Sequence, residues 1–105
     1  MGFLKVAGLS ELPPDTALEV EIGNRIVALC NAAGTITALE GLCPHRGGPL
    51  GHGVVSGGRV VCPWHLWEFD CGTGAYDINP ELKLPMYPVE VRGDEIWVDL
   101  PESNA

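Results

Sequence analysis

Two short loops, each with one cysteine and one histidine, constrain this chain more than any other feature of its sequence. The first reads Cys43-Pro44-His45 and the second reads Cys62-Pro63-Trp64-His65, with sixteen residues between them. Thiolate sulfur and imidazole nitrogen are ligands that proteins offer to transition metals. If all four side chains serve one centre, the fold must bring these two separate loops side by side.

The ligand set favours an iron–sulfur cluster over a zinc ion. Two cysteines and two histidines hold a two-iron, two-sulfide cluster when the cysteines bind one iron and the histidines bind the other. Zinc sites of the same composition usually take both cysteines from one loop and both histidines from another, whereas the two types alternate here. We therefore expect one [2Fe-2S] cluster per chain, with Cys43, His45, Cys62 and His65 as its ligands. A zinc site, or disulfides among the four cysteines, remain the alternatives.

Short apolar runs separated by glycine-containing turns predict an all-β fold. Leu18, Val20 and Ile22 alternate with acidic residues, and Gly23-Asn24 leads into a second run over 25–31, which is the pattern of a β-hairpin. Further turns are expected at 33–34, 57–58 and 93–94, and Pro80 to Leu84 is the best place for one helical turn. We expect an antiparallel sandwich or partial barrel as a base, with a cluster-binding subdomain of about 42–75 inserted in a single domain of 1–105.

Charge and hydropathy argue against several classes of protein. The net charge of −8 disfavours binding to nucleic acids or to anionic membrane surfaces. No run approaches the about 20 apolar residues of a transmembrane helix, and the N-terminus does not resemble a signal peptide, so we expect a cytoplasmic protein. Residues 60–105 hold nine of the fourteen acidic residues and two of the six basic ones. This region is either a solvated acidic surface or a docking face for a basic redox partner.

Two segments resemble the Rieske-type ferredoxins of bacterial aromatic-ring dioxygenase systems: Cys43-Pro44-His45-Arg46-Gly47-Gly48-Pro49-Leu50 and Cys62-Pro63-Trp64-His65-Leu66-Trp67-Glu68-Phe69-Asp70. The later segments Gly72-Thr73-Gly74-Ala75 and Leu84-Pro85-Met86-Tyr87-Pro88-Val89 also match, the second of them resembling the proline loop that covers the cluster in that family. The resemblance implies the Rieske fold and a carrier that takes one electron from an NAD(P)H-dependent flavin reductase to a terminal oxygenase. We expect a monomer that is not itself an enzyme.

Departures from the respiratory branch of this family have consequences for the cluster. That branch has two cysteines, joined as a disulfide across the loops, where this chain has Gly48 and Trp64. It also has serine and tyrosine hydroxyls in place of Trp67 and Phe69, and their hydrogen bonds favour the reduced cluster. Without them we expect a midpoint potential near the low end of the Rieske range, about −150 mV. A departure within the ferredoxin branch is Leu66, where glycine usually follows the second histidine.

Two other functions stay open at this point. One alternative is the small subunit of an NADH-dependent nitrite reductase, which is also Rieske-like, and a non-redox zinc-binding or scaffold module is the alternative from another class. Outside the loops, we expect His52 to be an ordinary loop histidine and Cys30 to be a buried, small apolar residue. We expect Cys71 to be a packed or semi-exposed thiol, with a redox-sensor role as the alternative.

Overall fold

The protein is an assembly of short antiparallel β-strands, as the sequence predicts. The computed structural model describes residues 2–43, 47–64 and 67–100. Its strands are β1 (Phe3–Gly8), β2 (Thr16–Ile22), β3 (Arg25–Ala32), β4 (Thr35–Glu40), β5 (Val54–Ser56), β6 (Arg59–Val61), β7 (Glu68–Asp70), β8 (Met86–Tyr87), β9 (Val89–Arg92) and β10 (Glu95–Asp99). Two 3₁₀ turns span Leu9–Glu11 and Leu50–His52. Within the described residues, the strands form three sheets, ordered β1-β10-β9, β2-β3-β4-β8 and β5-β6-β7.

The first two sheets pack against each other and form the base of the molecule. Their inner faces enclose one hydrophobic cluster, the base core, which contains Ala7, Leu12, Val27, Leu29, Ala38, Tyr87, Ile96 and Val98. Both predicted hairpins of this region are present, joining β2 to β3 and β9 to β10 in an antiparallel register. The expected antiparallel base is therefore confirmed.

Strand β3 is buried on both faces, and this determines where the third sheet packs. Val27 and Leu29 contribute to the base core, whereas the alternate residues Ala28 and Cys30 face a second hydrophobic cluster. Side chains of a strand point alternately to opposite faces, so one strand serves two cores. The second cluster, the loop core, contains Ala28, Cys30, Leu39, Cys43, Leu50, Val55, Val60, Cys62, Phe69, Cys71 and Leu84.

The third sheet lies within the segment predicted as an insertion. Gly57 and Gly58 form the turn between β5 and β6 with φ angles of 59° and 80°, a left-handed conformation that glycine adopts without a steric penalty. Val55, Val60 and Phe69 of this sheet are buried in the loop core. Packing on β3 and β4 therefore fixes the inserted sheet to the base.

A backbone contact also joins the insertion to the base. A Cβ atom at Gly51 would lie 2.5 Å from both the nitrogen and the Cα of Glu19 on β2. Beside this contact, the Nε2 atom of His52 lies 3.4 Å from the Oε2 atom of Glu19. The absence of a side chain at position 51 lets the Leu50–His52 turn rest directly on β2.

The sequence did not predict every element. Strands β7 and β8 and the two 3₁₀ turns were missed because each is too short to show a hydrophobic period, and β1 was missed because its apolar residues come in adjacent pairs and do not alternate with polar ones. Between 80 and 84, the structure has a tight turn in which the Leu82 amide donates to the Asn79 carbonyl oxygen at 2.9 Å, and no helical turn. No helix in the described ranges is long and apolar enough to cross a membrane.

Candidate metal centre

The first loop closes on itself through its backbone. Leu42 and Pro49 form an antiparallel bridge at its base. The Cys43 amide donates to the Gly48 carbonyl oxygen at 2.8 Å, and the Gly47 amide donates back to the Cys43 carbonyl oxygen at 2.7 Å. These bonds hold Cys43 at the base of a tight loop that continues directly from β4.

The second loop places its cysteine in the equivalent position. It joins β6 to β7, and the Cys62 amide donates to the Trp67 carbonyl oxygen at 2.8 Å. Each cysteine is thus the first residue of its loop, and its amide donates a hydrogen bond to a carbonyl oxygen at the end of that loop. Trp64, near the tip, is 57% exposed, so this loop extends from a buried cysteine to the protein surface.

The two loops touch each other. A Cβ atom at Gly48 would lie 2.6 Å from the sulfur of Cys62 and 3.3 Å from the Cβ of Trp64. Cβ atoms of disulfide-bonded cysteines are about 3.5–4.5 Å apart, so positions 48 and 64 are near the separation that a bridge across the loops requires. The structure therefore brings together the two positions where the respiratory branch carries its disulfide, and here glycine and tryptophan occupy them.

The two loop cysteines are buried in one hydrophobic cluster. Cys43 is 2% exposed and Cys62 is fully buried, and both belong to the loop core. No disulfide joins any of the four cysteines, all of which the structure describes. The disulfide alternative is therefore not the arrangement seen, and both sulfur atoms remain chemically suited to bind a soft metal.

The histidine half of the predicted site, His45 and His65, lies outside the described residues, as does Leu66. Among the described side chains, no three of histidine, cysteine, aspartate and glutamate form a cluster suited to a metal ion. The described part of the site nevertheless fits a [2Fe-2S] cluster, because it presents two buried thiols at the bases of two touching loops.

Aromatic side chains pack beside the second loop. The ring of Trp67 stacks on that of Tyr76 at a centroid distance of 4.2 Å, and the Phe69 ring lies 5.5 Å from Tyr76. The Leu84 amide donates to the carbonyl oxygen of Gly74 at 2.9 Å, which fixes the proline-containing segment against the turn after β7. The sequence pattern singled out Trp67 but not Tyr76, because Tyr76 belongs to no motif and its stacking on Trp67 depends on the fold.

Tyr87 connects the proline-containing segment to the strand that leads into the first loop. Its hydroxyl accepts a hydrogen bond from Arg25 and donates one to Glu40, both at 3.2 Å. The Glu40 amide also donates to the Pro85 carbonyl oxygen at 3.0 Å. Burial, followed by the nearby Glu40 carboxylate, raises the pKa of Tyr87. The residues before Cys43 and the segment 84–88 are thus fixed to each other.

The remaining predicted residues lie outside the loops. Cys30 is fully buried, as predicted. Cys71 is 2% exposed, so it is a packed thiol and not a semi-exposed one. Interaction with Cys71, followed by burial, raises the pKa of the Cys30 thiol far above its usual value, and interaction with Cys30 lowers the pKa of the Cys71 thiol. His52 is exposed and pairs with Glu19.

Comparison with known proteins decides the family. A profile of the Rieske [2Fe-2S] domain matches residues 2–88. This chain belongs to the Rieske family. Membership implies one [2Fe-2S] cluster and removes the zinc alternative.

Relatives of this Rieske chain include both small and large proteins. It is 33% identical to the biphenyl dioxygenase ferredoxin subunit of Pseudomonas sp. (strain KKS102) over 101 residues, which cover 94% of this chain and 93% of that protein. It is 36% identical to the 4beta-methylsterol monooxygenase of Methylococcus capsulatus over 86 residues, or 72% of this chain. The chain spans only 23% of the length of that second relative.

Solved structures confirm the Rieske fold. The ferredoxin of carbazole 1,9a-dioxygenase from Nocardioides aromaticivorans matches with a TM-score of 0.82 at 29% identity, covering 93% of this chain and 97% of that one. A carbazole 1,9a-dioxygenase complex of reduced oxygenase and oxidised ferredoxin matches with a TM-score of 0.80 at 28% identity, covering 91% of each chain. A protein from Mycobacterium tuberculosis, described as an NADH-dependent nitrite reductase small subunit, shares the fold with a TM-score of 0.84 at 23% identity over 97% of each chain.

Proposed function

We propose that this chain is a Rieske-type ferredoxin that carries one electron from an NAD(P)H-dependent flavin reductase to a terminal, aromatic-ring-hydroxylating oxygenase. The observation that carries this proposal is the extent of its match to two ferredoxins. The chain covers 93% of the biphenyl dioxygenase ferredoxin and 97% of the carbazole dioxygenase ferredoxin.

The cluster is bound by the two loops in this proposal. Cys43 and Cys62 bind one iron, and His45 and His65 bind the other. When bound, a [2Fe-2S] cluster supplies a one-electron couple. The buried position of both cysteines and the contact between their loops support the assignment of the sulfur ligands.

The protein around the site excludes water from the sulfur atoms. Leu50 and Phe69 are fully buried and Leu84 is 5% exposed, and all three pack in the loop core with the two cysteines. An apolar shell controls solvent access and the local dielectric, and these set the redox potential. Trp64 of the second loop is 57% exposed, so this loop reaches a surface that a partner can approach.

The charge distribution supports a transient encounter with a basic partner. Residues 60–105 contain nine acidic residues, and Asp77, Glu81, Glu90 and Asp94 among them are exposed. Complementary charge speeds diffusional encounter more than it tightens the complex, which suits a shuttle. We further propose that the chain acts as a single domain and a monomer in the cytoplasm, with no substrate-converting site of its own.

The ligand assignment is tested by measuring iron, acid-labile sulfide and the EPR spectrum of the dithionite-reduced protein. The expected result is two irons and two sulfides per chain with the spectrum of a histidine-ligated [2Fe-2S] cluster. His45→Ala and His65→Ala are expected to lose this spectrum. His52→Ala is the matched control, because its side chain is exposed and pairs with Glu19. An unchanged spectrum in His45→Ala or His65→Ala would contradict the assignment.

The fold shared with the nitrite reductase small subunit makes that function the second candidate. A tagged chain purified from its own cells under native conditions separates the two. Recovery as a free monomer, which transfers its electron to an oxygenase in stopped-flow mixing, supports the carrier. Recovery in a stoichiometric complex with a large subunit supports the nitrite reductase subunit instead.

A further inference from the structure

The segment 84–88 contacts both cores of the protein. Leu84 is buried in the loop core together with the two loop cysteines, and Met86 packs against the same core. Tyr87, the next residue, belongs to the base core instead, because successive side chains of a strand point to opposite faces. The segment therefore presents two apolar side chains to the core around the cysteines and is held from the opposite face by Tyr87.

The Tyr87 hydroxyl joins the beginning of β3 to the end of β4. It accepts a hydrogen bond from Nη1 of Arg25, the first residue of β3, at 3.2 Å. It donates one to Oε1 of Glu40, the last residue of β4, also at 3.2 Å. Tyr87 is 8% exposed, and a buried hydroxyl that loses its partners is costly. These two bonds therefore fix the position of the ring.

Backbone hydrogen bonds connect this position to Leu84. The Glu40 amide donates to the Pro85 carbonyl oxygen at 3.0 Å, and the Leu84 amide donates to the Gly74 carbonyl oxygen at 2.9 Å. A Cβ atom at Gly74 would lie 2.7 Å from the carbonyl oxygen of Leu84 and 3.2 Å from the sulfur of Met86. The segment is thus packed closely between the end of β4 and the turn after β7.

We propose that Tyr87 is a positioning residue for the cluster, whose hydroxyl holds Leu84 and Met86 on the loop core and thereby keeps the midpoint potential low. The proposal rests on the ligation of the cluster by Cys43 and Cys62 in the proposed function. Reduction adds a negative charge to the cluster, and an apolar, water-free surrounding disfavours that charge. Solvent exposure is one of the factors that set the potential of such clusters.

Tyr87→Phe removes both hydrogen bonds and leaves the ring and the charges of Arg25 and Glu40 in place. We expect the midpoint potential of the holoprotein, measured by redox titration, to rise, because water reaches the sulfur ligands more easily. We also expect the visible absorption of the cluster to be lost on the order of tenfold faster in the presence of a chelator. Hydrogen exchange at the amides of Leu84 and Glu40 is expected to be faster.

Ile96→Val is the matched control. Ile96 is fully buried in the base core on β10, and the loss of one methyl group is expected to cost about as much stability as the loss of the Tyr87 hydroxyl. This variant removes no hydrogen bond of the segment 84–88, so its midpoint potential is expected to equal that of the wild-type protein. An unchanged potential in Tyr87→Phe, or the same shift in both variants, overturns the proposal.

Arg25→Met provides a second test that remains available if Tyr87→Phe does not fold. Loss of a positive charge by itself would lower the midpoint potential, because the reduced cluster carries more negative charge. Loss of the hydrogen bond that positions Tyr87 is expected to raise it. A rise therefore supports the proposal, and an unchanged or lower potential overturns it.

The role of Tyr87 and the proposed function can fail separately, because these measurements need no partner protein. Absence of the EPR spectrum of a histidine-ligated [2Fe-2S] cluster from the wild-type protein would contradict the proposed function. A normal spectrum together with an unchanged potential in Tyr87→Phe would overturn only the role of Tyr87.

Discussion

The backbone of Gly48 in the first loop lies directly against the sulfur of Cys62 in the second. A Cβ atom at position 48 would come within 2.6 Å of that sulfur, closer than real Cβ contacts. The first loop therefore forms one wall of the pocket around the second cysteine, and only glycine leaves room for that approach.

Gly48→Ala is expected to push the two loops apart. Overpacking of this kind costs about 1–3 kcal/mol, and here the strain falls on a metal ligand. We expect fewer irons per chain after purification and faster loss of the visible absorption of the cluster. Gly72→Ala is the control, because its added Cβ would meet only the Asp70 side chain, at 3.3 Å. Equal iron content and equal cluster lifetimes in the two variants would refute this prediction.

Gly51→Ala is expected to weaken the attachment of the insertion to the base. The new Cβ would lie 2.5 Å from backbone atoms of Glu19, and the backbone of β2, which is paired with β3 along its whole length, cannot yield as a side chain can. We expect a loss of about 1–3 kcal/mol in the free energy of unfolding, measured by urea denaturation. His52→Ala removes only the exposed pair with Glu19, so its expected cost is below about 1 kcal/mol. A larger loss in His52→Ala than in Gly51→Ala would contradict the contact.

Phe69→Tyr is expected to raise the midpoint potential. Phe69 is fully buried in the same core as Cys62, so an added hydroxyl would be placed in an apolar region beside the cluster ligands. A hydrogen bond to a cluster sulfur stabilises the reduced state, which carries more negative charge. Redox titration of wild-type, Phe69→Tyr and Phe69→Leu holoproteins checks this. A positive shift in Phe69→Leu as large as in Phe69→Tyr would assign the effect to packing instead.

Tyr87 is expected to make the fold sensitive to alkaline pH. Burial and the Glu40 carboxylate raise the pKa of Tyr87 in the folded protein, so folding favours the neutral phenol. Its contribution to stability is fully present below the unfolded pKa of about 10 and is lost as the pH rises through the folded value. Tyr87→Phe is expected to lose about 1 kcal/mol of the free energy of unfolding at neutral pH. Between pH 9 and about 11, its stability is expected to decline less steeply than that of the wild-type protein. Urea denaturation midpoints of the two proteins are measured across this pH range. An equal decline in both proteins would contradict the role of Tyr87.

The sequence predicted the strands with the clearest alternation and the turns between them. Leu18, Val20 and Ile22 with Gly23-Asn24 lie in the β2–β3 hairpin as expected, because period-two alternation and turn chemistry are local properties. The two-residue strand β8 carries no such signal. It exists because Ala38 and Leu39 on β4 pair with it from far away in the sequence.

The sequence by itself determined the chemistry of the site: the residue types and spacing of the two cysteine–histidine loops predicted the Rieske cluster before any fold was known. Only the tertiary structure decided which backbone atoms approach Cys62, which strand faces two cores, and that Cys30 and Cys71 are buried in the same core. The physical reason is that ligand chemistry is fixed by side-chain type and short spacing. Contacts between distant segments depend on how whole sheets pack, which no local pattern encodes.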